Sequence, residues 1–553
     1  MVNPFQHAAR ALWVLGLVVF TTMSQAPPVA AQDTDENLLQ RLTTFNDVLR
    51  IIRANYVEEV DPSKLVDSAI EGLLTDLDPH SNYLDPKRSA ETNERYRGEY
   101  YGIGISFAIR DGYITVISPI EGSPSDRLGI RAGDRIVQIN HESAHGISEN
   151  DVFEKLRGPE GSQVHVSIQR PGEDDLLEID IVREKIPLRS VPYSFMLDST
   201  TGYVRMILFS AHTAGELEEA LEKLEGAGMK RLILDLRGNA GGLLEQAVEV
   251  SDKFLDRGQL VVSQKGRVPG SNDEHYASGR QRHPRFPLIV LVDHGSASAS
   301  EIVAGAVQDW DRGLVVGQTS FGKGLVQRQF RLRDGSALFL TIARYYTPSG
   351  RLIQREYGDR ETYYAEGYDD VDPNATAAED TAQVKPKFYT AAGRLVYGGG
   401  GITPDVNLPR REFGKTEEAV ERAALPFSFA NAQIGKTKFT YPEGFDRFLS
   451  SYEVDEATWQ AFLDYAVQSN PKLVRTDLEA ASEPLRKSLK REFAGNLWGP
   501  TERYRVILAD DPALAEAEKQ FSKASDLLAL NVTGSGTGAQ RTPFGDPGTT
   551  EQR

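Results

Sequence analysis

Two short stretches carry residue types at spacings that could do acyl-transfer chemistry. The first is Asp293-His294-Gly295-Ser296-Ala297-Ser298-Ala299-Ser300-Glu301, directly after the apolar run Leu288 to Val292. A tight turn of small residues there would leave a serine exposed between the carboxyl end of a strand and the start of a helix. The free amides of a helix N-terminus favour negative charge, which suits a developing oxyanion. The same residues also read as an ordinary serine-rich helix cap, since serine is a preferred N-cap. The second stretch is Thr319-Ser320-Phe321-Gly322-Lys323-Gly324-Leu325-Val326-Gln327. A lysine between two glycines is placed by the backbone rather than by its own rotamer. Gln327, four residues on, returns to the same face and could accept a hydrogen bond from the amine. An exposed loop lysine is the plain alternative.

A Ser/Lys pair asks much of the lysine. To act as general base it must be neutral, so its pKa must fall from about 10.4 toward 7–8, worth about 4 kcal/mol. Burial among apolar groups is the usual source, and Phe321, Leu325 and Val326 are at hand; Glu301, if close, would oppose it. His294 raises the option of a Ser/His site, but no Ser-His-Asp arrangement is readable, and His294 is expected to be structural. No histidine shows metal-ligand spacing or an HExxH pattern, so no metal or other cofactor is expected.

The elements that must position these residues follow from periodicity. Leu38, Leu42, Phe45, Leu49 and Ile52, then Val66, Ile70, Leu73 and Leu74, recur at helical spacing, with Asp61-Pro62-Ser63 starting a second helix. These helices are expected to pack on another part. From Gly98 to Arg183 short strands alternate with turns, interrupted by one helix over about Glu149 to Leu156. From Gly202 to Pro348 strands and helices alternate, including strands at Leu232 to Leu236 and Leu288 to Val292 and a helix from about Ser298 to Trp310. That order implies a mainly parallel sheet flanked by helices, whose active sites lie at the carboxyl ends of strands. Asp334-Gly335 is expected to turn a hairpin into Leu338 to Ile342. Residues from about 416 to 530 read as a separate helical region.

With 553 residues, 40% of them hydrophobic, the chain holds several domains. A net charge of -18 argues against a nucleic-acid surface. The absence of cysteine excludes disulfides and thiolate nucleophiles. Met1 to Arg10, the apolar Ala11 to Phe20 and the small residues ending at Ala31 form a secretory leader. The expected location is the periplasm or cell envelope, with cleavage after Ala31. An uncleaved membrane anchor is the alternative.

In residues, order and spacing, the two stretches resemble the tail-specific, C-terminal processing peptidases. The resemblance implies Ser298 as nucleophile, Lys323 as general base and Gln327 as the residue orienting it. Asp235-Leu236-Arg237-Gly238-Asn239-Ala240-Gly241-Gly242 is similar to a turn of that family, which implies an oxyanion hole from the backbone N–H groups of Gly241 and Ala299. Tyr101-Gly102-Ile103-Gly104-Ile105 looks like the carboxylate-binding loop of a PDZ domain. Leu156-Arg157-Gly158-Pro159-Glu160-Gly161 is close to another family motif and makes Arg157 a candidate regulatory residue. Asp78-Pro79-His80-Ser81, Tyr346 to Arg351 and Gly398 to Asp405 extend the likeness over roughly residues 40 to 410.

The implied fold is α/β multidomain, a ClpP/crotonase-like α/β peptidase core with an inserted β-rich PDZ domain and helical N- and C-terminal regions. The expected divisions are a signal peptide 1–31, an N-terminal helical region 35–97, the PDZ domain 98–184, the core 185–410 with an insertion over 358–384, a C-terminal helical region 416–530 and a disordered tail 534–553. The implied activity is that of an exported serine endopeptidase that reads substrate C-termini and cleaves through an acyl-enzyme. Its partners would be proteins with accessible C-termini, with an adaptor or a second copy of the chain left open, and loose membrane association if the leader is kept. A non-catalytic scaffold is the rival from another class. A penicillin-binding type of acyl transferase is disfavoured because no Ser-x-x-Lys surrounds Ser298.

Overall fold

The computed structural model describes residues 32–280, 283–358, 363, 385–409, 412–436 and 441–534. The expected signal peptide, nearly all of the 358–384 insertion and the tail beyond 534 lie outside the described residues. Two compact units divide at Asp76. The first consists of the helices Gln32–Asn55 and Pro62–Thr75. Asp61 caps the second by accepting the Ser63 N–H at 2.9 Å, with Pro62 in its first turn. Leu39, Leu42 and Ile51 of the first helix are exposed.

In the second unit the chain enters and leaves a β-rich domain through the antiparallel ribbon Glu99–Gly102 with Glu184–Pro187. The domain is an antiparallel sheet in the order Ile105–Arg110, Tyr113–Pro119, Arg135–Ile139, Gln163–Gln169, Leu177–Val182. Ile114, Val116, Ile136, Val164 and Ile181 fill its core together with Val152 and Leu156 of the helix Glu149–Leu156. Ser148 starts that helix in a capping box with Asp151. A second, four-residue helix, Pro124–Arg127, also lies in this domain.

Among the described residues the core holds two large sheets and the small hairpin Lys387–Tyr389 with Leu395–Tyr397. One large sheet is ordered Tyr193–Met196, Thr201–Arg205, Arg231–Asp235, Leu288–Val292, Leu314–Gly317, Val406–Asn407. All its ladders are parallel except the first. Every residue of Leu288–Val292 is fully buried, as a strand covered on both faces must be. The helices Thr213–Gly226, Leu244–Asp252 and Ala299–Asp309 close one face. The other face, with Tyr203, Ile233, Ile289, Leu291 and Val316, is closed by Leu508, Leu514, Phe521 and Leu527. Burying each such side chain contributes about 1.5–3 kcal/mol.

That cover comes from the C-terminal helical region. Helices from Lys415–Arg422 to Ser482–Trp498 have their own core, around Phe448, Phe462, Leu489 and Phe493. The last helices, however, form the third layer of the peptidase sheet. The same region meets the β-rich domain, where Phe427 lies 4.1 Å under the Arg110 guanidinium. An amphipathic helix announces that it has an apolar face but not which surface receives it.

The second core sheet is antiparallel. Ala337–Tyr346 pairs with Asn82–Leu84, with Leu260–Gly266 and with Leu325–Arg331. The last pairing is the expected hairpin, closed by the Leu332 N–H bond to the Ser336 carbonyl and by Gly335 at φ 91°. Among the described residues no helix is long and apolar enough to cross a membrane.

Candidate active site

The strand Arg231–Asp235 ends in the turn that runs to Gly242, and Leu288–Val292 ends in the serine-rich turn. Asp235, wholly buried, accepts Tyr203 Oη at 2.7 Å and Arg205 at 2.7 Å and is gripped by Arg237. Burial alone would raise its pKa, but Arg237 and Arg205 bring it down to about 2. Arg237 also pairs with Asp511 of the C-terminal region at 2.8 Å. Asp293 ties the two turns together, accepting the N–H groups of Gly238 at 2.7 Å and Gly295 at 2.9 Å.

The three serines of the turn are not equivalent. Ser296 Oγ donates to the Leu236 carbonyl at 2.9 Å, and Ser300 Oγ donates to the Asn239 carbonyl at 2.8 Å. Both are fully buried and bolt the two turns to each other. Ser298 Oγ donates no hydrogen bond among the described residues, so its proton is not tied to a backbone carbonyl as those of its neighbours are. Its backbone is at φ 54°, ψ -111°, a conformation that costs on the order of 1–3 kcal/mol for a residue with a Cβ and persists only where its surroundings impose it. The spacing of the resemblance and the backbone strain thus single out the same serine.

Gly241 meets this residue closely. A Cβ there would lie 2.7 Å from the Ala297 carbonyl oxygen and 2.9 Å from Ser298 Cβ, at φ 95°, so only glycine fits. Of the two amides expected in an oxyanion hole, that of Ala299 has no acceptor among the described residues. That of Gly241 donates to Asn239 Oδ1 at 2.9 Å and is therefore engaged.

Lys323 Nζ donates to Gln327 Oε1 at 2.7 Å, and Gln327 Nε2 donates to the His80 carbonyl at 2.5 Å. Burial lowers the Lys323 pKa, while Glu301 and Asp78 act to raise it; burial prevails. The expected sources of that burial are present, with Leu325 only 4% exposed and Val326 packed against the core. Phe321 packs edge-on against His80 and Tyr363. No hydrogen bond joins Lys323 Nζ to Ser298 Oγ among the described residues.

Glu301 is close, as feared in the sequence, but its main contacts are with the backbone. One carboxylate oxygen accepts Ser320 Oγ at 2.5 Å and the Gly322 N–H at 2.6 Å. The other accepts the Lys323 N–H at 2.9 Å and the Ser298 N–H at 2.8 Å. One buried side chain thereby clamps the serine turn to the lysine loop. Burial pushes its pKa up, against the lowering effect of those four donors.

Asp78-Pro79-His80-Ser81, which in the sequence only extends the family likeness, supports the lysine site. Asp78 accepts the His80 and Ser81 N–H groups at 2.8 Å each, fixing the carbonyl that holds Gln327. His80 Nε2 meets Tyr363 Oη at 2.9 Å. Gln354 Oε1 accepts the Gly324 N–H at 2.9 Å, closing the lysine loop from the other side. The family likeness of Asp78 to Ser81 is the one sequence signal for the first group; Gln354 has none.

In the β-rich domain, Ile105–Arg110 is the edge of its sheet. The N–H groups of Ile103 and Gly104, just before it, have no acceptor among the described residues, and Gly104 is at φ 80°. Tyr101 and Gly102 lie in the ribbon instead, opposite Lys185 and Glu184. Phe107 of the edge strand meets Phe153 of the helix at 5.5 Å. Arg157 lies over the rings of Tyr100 and Phe153, at 4.5 Å from each, and pairs with Glu94 at 2.7 Å.

An α/β peptidase core with a PDZ domain inserted in it is the class these features define. The family model for peptidase family S41 matches residues 200–361, and a PDZ domain model matches 115–170. The activating protease CtpB N-terminal domain model matches 16–88. A carboxy-terminal-processing protease of Bartonella bacilliformis is 37% identical over 62% of this chain and 79% of its own. The carboxy-terminal processing protease CtpA of Bacillus subtilis is 33% identical over 69% and 83%. Among solved structures, a photosystem II D1 C-terminal processing protease is 28% identical, covering 66% of this chain and 92% of its own at a TM-score of 0.34. The chain belongs to peptidase family S41, the carboxy-terminal processing serine proteases.

Proposed function

We propose that the protein is an exported endopeptidase that captures a substrate's C-terminus in its PDZ domain and cleaves upstream with Ser298 and Lys323. The observation that carries the reading is the buried Lys323 amine, held by Gln327 Oε1 at 2.7 Å and depressed in pKa by burial. Neutral Lys323 takes the proton of Ser298 Oγ as that oxygen bonds to the scissile carbonyl carbon. The C–N bond then breaks, and the departing amine takes the proton from Lys323. Water, deprotonated in turn by Lys323, releases the acyl group from Ser298. The Ala299 N–H faces the oxyanion, and Gly241 joins it once its amide leaves Asn239.

The free amides of Ile103 and Gly104 suit a terminal carboxylate, and the open edge of Ile105–Arg110 suits the strand behind it. Lys323 Nζ is hydrogen-bonded to Gln327 and not to Ser298 Oγ among the described residues, so docking has a step left to complete. Arg157, between the PDZ helix end and Glu94, is placed to sense it. Export rests on the leader pattern ending at Ala31. The test is cleavage of an unfolded protein with a free or an amidated C-terminus. Faster cleavage of the free form, lost in Ser298→Ala, is expected; equal rates for both forms would reject tail reading.

A further inference from the structure

A shallow, open depression of about 440 Å3 lies beside the hairpin that follows Lys323, lined by Lys265, Arg267, Arg344, Leu325, Tyr346 and Tyr357 among others and by no carboxylate. Lys265 stands directly opposite Arg344 in the ladder between Leu260–Gly266 and Ala337–Tyr346. Directly opposed like charges destabilise a sheet, so the fold gains nothing from this pair. The three cations are exposed, and among the described residues none forms an ion pair. Lys265 Nζ lies 5.1 Å from the Tyr346 ring centroid, which holds it at the depression.

The register says which side of the sheet this depression occupies. Leu325 pairs with Arg344 and Gln327 with Thr341, and a register shift falls between Val326 and Gln327. Residues two apart in a strand share a face, as do cross-strand partners. The extra residue, Ile342, lets Thr341 and Arg344 lie on that one face although three apart. The depression therefore lies on the face that carries Gln327, the acceptor of Lys323 Nζ.

We infer that this depression is a substrate subsite that takes a carboxylate of the bound polypeptide, selecting where along the chain Ser298 cleaves. The inference rests on the proposed peptidase reading. The same chemistry is offered by an Asp or Glu side chain and by a chain terminus, and the test separates them. Fluorogenic peptides carry a single Glu, or Gln in its place, walked through the positions flanking the scissile bond. One series has an amidated terminus, and a neutral series has a free terminus. Wild type is compared with the Lys265→Gln/Arg267→Gln/Arg344→Gln variant and with each single variant.

The expected result is a Glu preference at one position, on the order of tenfold in kcat/KM, falling as salt rises. In the triple variant the preference disappears, while the all-neutral amidated peptide is cleaved as by wild type, which also shows that the variant is folded. A preference that follows the free terminus assigns the depression to the terminus instead of a side chain. A flat wild-type profile, or an undiminished preference in the triple variant, overturns the inference. Binding of the same peptides to Ser298→Ala decides it independently of turnover. Glu-selective binding there, lost on adding the three substitutions, would uphold the subsite even if Ser298 were not the nucleophile.

Discussion

Replacing Glu301 by glutamine tests how the serine turn and the lysine loop are held together. Glutamine keeps one acceptor oxygen and turns the other into an NH2 donor. If the amide nitrogen replaces the oxygen facing Lys323 and Ser298, it confronts two N–H groups, at 2.9 Å and 2.8 Å. If it replaces the other, it confronts the Gly322 N–H, now at 2.6 Å, while Ser320 Oγ can turn to accept from it. The second arrangement is the cheaper and still strands one buried donor, at a cost of about 1–3 kcal/mol. If that cost falls on the positioning of Lys323, kcat drops roughly 5- to 150-fold. KM for a short peptide should change little, because the clamp lies behind the reacting groups. There is also an electrostatic sign. Glu301 raises the pKa of Lys323, so its neutral replacement lowers that pKa and moves the acid limb of the kcat/KM profile to lower pH. The assay is peptide hydrolysis across pH, normalised to folded protein by thermal melting. An unchanged kcat per folded molecule with an unmoved acid limb would refute the clamp.

Three further outcomes are expected. Lys323→Met should be more stable than wild type at neutral pH, with an advantage that shrinks on approaching the unfolded value of about 10.4. In that window the unfolded chain holds the proton that the folded one has released, so wild-type stability rises with pH; urea unfolding at several pH values checks it, and an advantage growing with pH would contradict the burial account. Phe521→Ala, which uncovers one face of the parallel sheet, should destabilise the protein by about 3–5 kcal/mol, read by the same unfolding; a loss under 1 kcal/mol would mean the last helices are not its third layer. Gly241→Ala should abolish turnover, since its Cβ would meet the Ala297 carbonyl at 2.7 Å, and near-normal hydrolysis by this variant would show that the two turns need not approach so closely.

Much of this was legible where chemistry is local. The run Leu288–Val292 announced a buried strand, and the break in the strand pattern over about Glu149 to Leu156 announced the helix of the PDZ domain. Lys323 and Gln327, four apart, could be paired before any fold was known. Contacts made across the fold were not legible in that way. Glu301 could be foreseen as a threat to a nearby lysine, yet its role as acceptor for Ser320, Gly322 and Lys323, as well as for Ser298 three residues before it, depends on 19 to 22 residues of intervening fold. His80 supports Gln327 through its backbone carbonyl, which no side-chain pattern records. The C-terminal helices showed an apolar face, but the matching apolar surface lies on strands from Tyr203 to Val316. The spacing of the resemblance picked Ser298 from the three serines, but only the partners of Ser296 and Ser300 and the strained backbone of Ser298 give the physical difference between them.

The central claim is that Ser298 carries the acyl group. Acid-quenching wild-type protein within its first turnovers of an unfolded substrate, followed by peptide mapping by mass spectrometry, tests it most directly. The account predicts a substrate acyl adduct on Ser298, absent from Ser298→Ala and from Lys323→Ala, neither of which should turn over. An adduct on Ser296 or Ser300, or full turnover by Ser298→Ala, would contradict it.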